Sequence, residues 1–129
     1  MPERHEDWMR QAERDLTHAE HALEDRDFEW SCFAAQQAAE KAVKALFQKR
    51  GAEAWGHSVT HLLTILPEGD RPSEDLVNRG RELDKHYIPA RYPNGFESGA
   101  PADYFTEAEA RRAIENGRLI LDFCAGRLR

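Results

Sequence analysis

Apolar residues recur every three or four positions along the first half of the chain, which is the spacing of one face of an α-helix. One such stripe covers residues 8–23, and the charged residues 25–27 end it. A second stripe covers residues 28–50 and is rich in alanine, so that neighbouring helices can approach it closely. Its expected members are Cys32, Ala35, Ala39, Ala42, Val43 and Leu46, and the face is broadened by Trp30, Phe33 and Phe47. No proline lies between positions 2 and 67, and the first glycine is Gly51. The pattern therefore predicts two uninterrupted amphipathic helices.

A short helix and a longer one are predicted for the middle of the chain. Ser58 precedes apolar residues at helical spacing and is a suitable N-cap, and Pro67 ends this short helix. Ser73 or Asp70 caps the next helix, whose apolar positions continue to the neighbourhood of Pro89. Because proline cannot continue the hydrogen-bonding pattern, Pro89 is predicted to terminate this helix.

The last third of the chain contains an irregular segment and a final helix. Residues 88–103 include three prolines and two glycines, and such a segment often carries functional residues. Thr106 and Glu109 have the spacing of a capping box and begin the last helix. No alternating pattern typical of a strand occurs. The predicted fold class is all-α, an antiparallel up-and-down bundle of four main helices plus one short helix, with residues 1–129 forming one domain.

The composition limits the classes of function. With 18 Lys and Arg against 24 Asp and Glu, the net charge of −6 argues against a general nucleic-acid coat protein. No apolar run approaches the roughly 20 residues that span a bilayer, so no membrane segment is expected. The charged start lacks the apolar core of a signal peptide, which favours a cytoplasmic location. Cys32 and Cys124 form no CxxC pair and are interpreted as reduced core residues.

Two histidine pairs are candidate metal ligands. His18 and His21 lie on the polar side of the first helix, and His57 and His61 are an i, i+4 pair. Neither pair has a partner that completes a ligand set, and no HExxH motif occurs, so no metal site is expected. His57 is interpreted as a helix-start residue bonding backbone. No glycine-rich phosphate loop is present, and no cofactor is expected.

Polar chemistry is concentrated in residues 79–96, which hold four Arg or Lys residues, one His and three aromatic residues. Cations beside aromatic rings suit contacts with phosphates and bases. On a regular helix Arg79 and His86 would lie about 20° apart, whereas Arg81 and His86 would diverge by about 140°. The alternative interpretation is an exposed helix face neutralised by its own acidic residues, with the tyrosines packed in the core.

The sequence resembles the HEPN domains (higher eukaryotes and prokaryotes nucleotide-binding). The resemblance rests first on the strings AAQQAAEKAVKAL at residues 34–46 and LDKHYIPARYPN at residues 83–94. Gly56-His57-Ser58 and the Trp8, Ala12 and Asp15-Leu16 positions also match. Membership implies a helical bundle that usually forms a homodimer. In bacteria and archaea it often implies a neighbouring minimal nucleotidyltransferase, the two proteins acting as toxin and antitoxin.

A catalytic motif is also implied by the resemblance. Many HEPN domains are metal-independent ribonucleases with an Arg followed, after four to six residues, by a His. Arg81 to His86 satisfies this spacing with four intervening residues, and Arg79 to His86 satisfies it with six. The His would act as general acid and base on the RNA 2′-hydroxyl, and the Arg would stabilise charge on the phosphorane.

Two alternatives to catalysis remain open. In the first, the domain is a non-catalytic module that binds a nucleotide, RNA or a partner through Lys85, Tyr87, Arg91 and Tyr92. In the second, it is a purely structural subunit. The family resemblance further allows a partner to modify Tyr87 or Tyr92 covalently.

Overall fold

The computed structural model describes residues 3–129, and it is helical as predicted, with no strand among these residues. Single 3₁₀ turns lie at Glu68–Asp70 and Pro93–Gly95. The α-helices of the described chain are α1 (His5–Glu24), α2 (Phe28–Lys49), α3 (Val59–Thr64), α4 (Glu74–Asp84), α5 (Pro101–Tyr104) and α6 (Glu107–Arg127). The four long helices of the prediction are α1, α2, α4 and α6.

Helix α2 lies at the centre of the bundle. Thirteen of its 22 residues are buried, so it is covered on more than the single face of a surface helix. It packs chiefly against α1 and α6, while α4 packs against α6 and α3. The predicted stripe of α2 is confirmed, because all six of its expected members are fully buried: Cys32, Ala35, Ala39, Ala42, Val43 and Leu46.

Predicted caps fix the starts of three helices. The Ser58 hydroxyl accepts the His61 N–H at α3, and the Ser73 hydroxyl accepts the Leu76 N–H at α4. At α6 the Thr106 hydroxyl accepts the Glu109 N–H, while the Glu109 carboxylate accepts the Thr106 N–H. Each of these bonds satisfies a backbone donor that has no partner inside its helix.

The structure differs from the sequence expectation in three places. Helix α4 ends at Asp84, five residues before Pro89, because in a continued helix the Pro89 ring would clash with the Lys85 carbonyl oxygen. The segment expected to be irregular contains the one-turn helix α5, which Pro101 begins. Trp30, expected to broaden the apolar face of α2, is 48% exposed.

Among the described residues, no helix has both the length and the apolar character needed to cross a bilayer.

At Gly117 helix α6 lies close to the backbone of α2. A Cβ atom at this position would lie 3.1 Å from the Ala35 carbonyl oxygen and 3.3 Å from Leu16 Cδ1. Because backbone cannot yield as a side-chain tip does, we expect Gly117→Ala to lower the free energy of unfolding by about 1–2 kcal/mol. Gly126, also in α6, has open space where a Cβ would stand.

The matched control is therefore Gly126→Ala, which we expect to be neutral or to stabilise by up to about 1 kcal/mol through helix propensity. Urea unfolding of both variants beside wild type checks the pair. Equal effects of the two substitutions would contradict the close packing inferred at Gly117.

Candidate functional site

The regular helix α4 ends at Asp84, and the side chain of this residue joins two loops. The Asp84 carboxylate accepts the backbone N–H groups of Val59 and Thr60, both at 2.9 Å, and the hydroxyls of Ser58 and Thr60. A carboxylate at a helix N-terminus accepts hydrogen bonds from unpaired backbone N–H groups and interacts favourably with the positive end of the helix dipole. Asp84 therefore anchors α3, and the loop before it, against the turn formed by residues 85–92.

Arg91 lies at the centre of an aromatic cluster in this turn. Its guanidinium carbon is 4.4 Å from the centre of the Phe33 ring, 4.6 Å from that of Tyr87 and 5.2 Å from that of Tyr92. Its Nε donates to the Tyr87 carbonyl oxygen at 2.9 Å. Within residues 3–129 no carboxylate lies within 4.0 Å of the guanidinium. We call Phe33, Tyr87, Arg91 and Tyr92 the Arg91 cluster.

Further rings extend the Arg91 cluster in both directions. Trp30 meets Phe33 edge to face, with ring centres 6.1 Å apart. On the other side the His57 imidazole stacks on Tyr87, with ring centres 4.9 Å apart and planes 17° from parallel. The result is a row of rings along α2 and the two loops, with one cation beside its middle.

A buried glutamate lies next to this row. The Glu40 side chain is only 5% exposed, and both of its oxygens are 3.2 Å from His57 Nδ1. Lys44 Nζ lies 3.2 Å from Glu40 Oε2, so the buried charge is compensated. The loop is fixed as well, because Gln36 Nε2 donates to the His57 carbonyl oxygen at 2.8 Å.

His86 faces a different part of the molecule. It follows α4 and lines a cleft of about 330 Å³ between α4 and α6, together with Lys85, Glu82 and Glu109. Its ring packs against Phe105 at 5.5 Å. Burial lowers the pKa of His86, although the carboxylates of Glu109 and Glu82 act in the opposite direction. The imidazole is therefore neutral at pH 7 and able to accept a proton.

Neither predicted arginine partner of His86 lines this cleft. Arg79 is 16% exposed, and its nitrogens lie 3.0 Å from Asp75 Oδ2, 2.9 Å from Asn116 Oδ1 and 3.6 Å from Glu115 Oε1. The charge of Arg79 is thus already compensated by Asp75 within α4 and by Glu115 on α6.

Arg81 is exposed on α4 and donates a hydrogen bond to Asn78. Because α4 ends at Asp84, the helical angles expected between His86 and the two arginines do not apply. The seven predicted site residues separate into Lys85 and His86 at the α4–α6 cleft, Tyr87, Arg91 and Tyr92 at the aromatic row, and Arg79 and Arg81 outside both.

Metal and thiol chemistry find little support in the described residues. No group of three or more His, Cys, Asp or Glu side chains is placed to hold a metal ion there. His18 and His21 are exposed on α1, as expected. Both cysteines are buried and unbridged, and burial raises the pKa of Cys32 and of Cys124 to about 12. The thiols are therefore protonated and unreactive at neutral pH.

Glu40 was not predicted from the sequence, and His57 was assigned only a backbone role. A signal was present, since Gln36 and Glu40 are four positions apart on the alanine-rich face of α2. Polar residues at positions that should be buried indicate a hydrogen-bonded network. Their partner in the loop could not be deduced, because it depends on how the loop folds back onto α2.

Comparisons with known proteins agree with this architecture. The sequence model of the HEPN domain family matches residues 5–128. The "Putative toxin MJ1304" of Methanocaldococcus jannaschii is 23% identical over 124 residues, covering 89% of this chain and 82% of that protein.

Two solved structures are also similar. TT1696 from Thermus thermophilus is 46% identical with a TM-score of 0.95, covering 97% of this chain and 98% of that one. ST0689, described as an archaeal HEPN homologue, is 43% identical with a TM-score of 0.84, and all of both chains is covered.

Proposed function

Since the chain belongs to the HEPN domain family, we propose that it is the helical component of a two-gene toxin–antitoxin system and binds RNA or a nucleotide at the Arg91 cluster. The observation that carries this proposal is the state of Arg91. It is a guanidinium with three aromatic neighbours and no carboxylate within 4.0 Å in residues 3–129.

An uncompensated arginine is informative in a chain of net charge −6. Most of the arginines lie within 4.0 Å of an acid, as Arg112 does of Glu82 at 3.0 Å, and of those in residues 3–129 that do not, only Arg91 has its guanidinium over aromatic rings. Arg91 keeps nitrogens available for an anion, and guanidinium groups bind phosphate through paired hydrogen bonds. The neighbouring rings of Trp30 and Tyr92 are about half exposed and provide faces on which bases stack, as in proteins that bind single strands.

The two-gene part of the proposal has separate support. The similarity to an archaeal protein named as a toxin extends over 89% of this chain. The partner we propose is a minimal nucleotidyltransferase, and the active form we propose is a homodimer. Co-purification with the product of the neighbouring gene, followed by intact mass measurement, tests both partner and regulation. An added nucleotide mass supports the proposal, and the absence of a complex contradicts it.

Binding at Arg91 is tested with Arg91→Gln. We expect the affinity for a short fluorescent single-stranded RNA to fall about 10- to 100-fold, the effect of losing a charge-assisted hydrogen bond. Fluorescence anisotropy at fixed ionic strength measures this change, since salt alone alters such affinities.

Arg111→Gln is the matched control, because it removes the same charge from an exposed helix position paired with Glu107. Arg91→Lys keeps the charge without the paired donors and should fall between wild type and Arg91→Gln. Circular dichroism confirms that each variant is folded. Equal losses in Arg91→Gln and Arg111→Gln would contradict the proposed site.

A second candidate function, metal-independent cleavage of RNA, is favoured by the chemical state of His86. A neutral imidazole in a cleft with Lys85 beside it is suited to proton transfer from a 2′-hydroxyl. Arg79 and Arg81 do not line that cleft, whereas Arg112 does and is paired there with Glu82 at 3.0 Å.

The ribonuclease function predicts that wild type cleaves RNA in EDTA and that His86→Ala lowers the rate at least about 100-fold, the usual contribution of general acid–base catalysis. His21→Ala, at an exposed position on α1, is the control and should leave the rate unchanged. Gel analysis of a labelled RNA measures all three proteins. Equal cleavage by wild type and His86→Ala, or cleavage by neither, would exclude this function.

A further inference from the structure

The residue His57 is held on several sides although its side chain is 57% exposed. Gln36 Nε2 donates to its backbone carbonyl oxygen, Glu40 lies 3.2 Å from its Nδ1 atom and Tyr87 stacks on its ring. Gly56, at a φ of 90°, makes the backbone turn that presents the residue. These contacts fix the orientation of a side chain that is largely in solvent, which is typical of a residue positioned to bind a ligand.

The Glu40 contact fixes the chemistry of the ring. A carboxylate accepts hydrogen bonds, so the Glu40 contact favours the His57 tautomer with its proton on Nδ1. In this tautomer Nε2 is an acceptor, and no hydrogen bond to it occurs within residues 3–129. Nε2 is therefore set to receive a donor from a ligand, and His57 lines a groove of about 360 Å³ with Trp8, Lys44 and Trp55.

Arg91 and His57 contact the same Tyr87 ring, at 4.6 and 4.9 Å from its centre. The Arg91 guanidinium, which can donate hydrogen bonds to a phosphate, and the His57 ring, which can accept one from a hydroxyl, thus both contact the Tyr87 ring. They are close enough for a single nucleotide to reach both. We infer that His57 accepts a hydrogen bond from the sugar hydroxyl of the ligand whose phosphate Arg91 binds, so that this site selects ribonucleotides over deoxyribonucleotides. The inference rests on the proposed binding function and names the residue that determines its specificity.

The 2′-hydroxyl is the group by which proteins distinguish RNA from DNA at a given position. The test compares two short fluorescent strands with identical bases, oligouridylate and its 2′-deoxy counterpart. Wild type should bind the RNA about five- to tenfold more tightly, the effect of one hydrogen bond. In His57→Phe, which keeps a ring to stack on Tyr87, we expect this ratio to fall to about one through weaker RNA binding, with DNA binding unchanged.

A second measurement does not depend on any ligand. Nitrogen-15 NMR of the imidazole should show His57 with its proton on Nδ1, and Glu40→Gln should weaken this preference. A proton on Nε2 in wild type would overturn the inference.

The outcomes separate this inference from the function on which it rests. Equal, Arg91-dependent binding of the two strands would overturn the selectivity and leave the proposed binding function standing. A preference for RNA that survives in His57→Phe would also overturn the role of His57. Binding of neither strand would overturn the proposed function, and this inference with it.

Discussion

Asp70→Ala is expected to lower the free energy of unfolding by about 3 kcal/mol, the largest effect among the substitutions proposed. The Asp70 side chain is buried and accepts two hydrogen bonds from Arg50, at 2.6 and 2.8 Å. Arg127 Nε lies 3.7 Å from Asp70 Oδ1, so the carboxylate joins the end of α2 to the end of α6. Removing it leaves two guanidinium groups without their shared anion, which costs more than the pair itself contributes.

The effect of Asp70→Ala should depend on pH in a defined direction. The hydrogen bonds from Arg50 hold the pKa of Asp70 below its usual value. An acid whose pKa is lower in the folded state stabilises the fold above its unfolded pKa, about 4, and this contribution is lost as the pH falls through the folded pKa. The difference between wild type and Asp70→Ala should therefore be full at pH 7 and shrink below about pH 4.

Urea unfolding at several pH values measures this dependence. Asp122→Ala removes an exposed acid from α6 and should change stability by no more than about 0.5 kcal/mol. A loss for Asp70→Ala no greater than that of the control would show that the Arg50–Asp70 pair does not hold the two helix ends together.

The helical architecture was predictable because it depends on local periodicity. The alanine stripe of α2 repeats at helical spacing along the helix, and every expected member is buried. Caps such as Ser73 and Thr106 act within their own first turn, so their side chains could be assigned from neighbouring residues alone. Asp70, the alternative cap for α4, instead binds Arg50, a choice decided by distant packing.

The end of α4 was not predictable on the same grounds. Leu83 and Tyr87 continue the helical spacing, but the Tyr87 N–H bonds to the Asp84 carbonyl oxygen three residues back. A regular helix would also bring the Pro89 ring against the Lys85 carbonyl oxygen. This early end also decides the candidate site. Because of it, His86 does not share a helix face with Arg79, and Arg91 packs with Tyr87 against Phe33. Residues adjacent in sequence therefore line two separate surfaces.

The site was predictable in part for a related reason. Cations and aromatic residues in 79–96 indicated where binding chemistry is concentrated, and Arg91 and Tyr87 do lie together. The sequence did not reveal which arginines are already occupied by contacts within the protein, because those contacts are with distant residues. Arg79 bonds to Asn116 on α6, and Arg91 packs against Phe33 on α2. Charge alone therefore could not distinguish an arginine used for packing from one available to a ligand.

Asp84→Ala is expected to lower the free energy of unfolding by about 2–3 kcal/mol and to loosen the candidate site at the same time. The substitution leaves the N–H groups of Val59 and Thr60 without acceptors at the start of α3, and it removes the 2.6 Å bond to the Thr60 hydroxyl. His57 stands directly before this helix start. Its stacking on Tyr87 should therefore weaken even though Asp84 touches neither ring.

Hydrogen exchange separates this local effect from a general loss of stability, because it reports opening amide by amide. In Asp84→Ala, protection should fall most at Val59 and Thr60, while the amides of α2 follow only the global change. Asp84→Asn keeps one oxygen for an N–H group and should lose about half as much stability, roughly 1 kcal/mol. A uniform loss of protection across the bundle would show that Asp84 acts on overall stability and does not position the loop that carries His57.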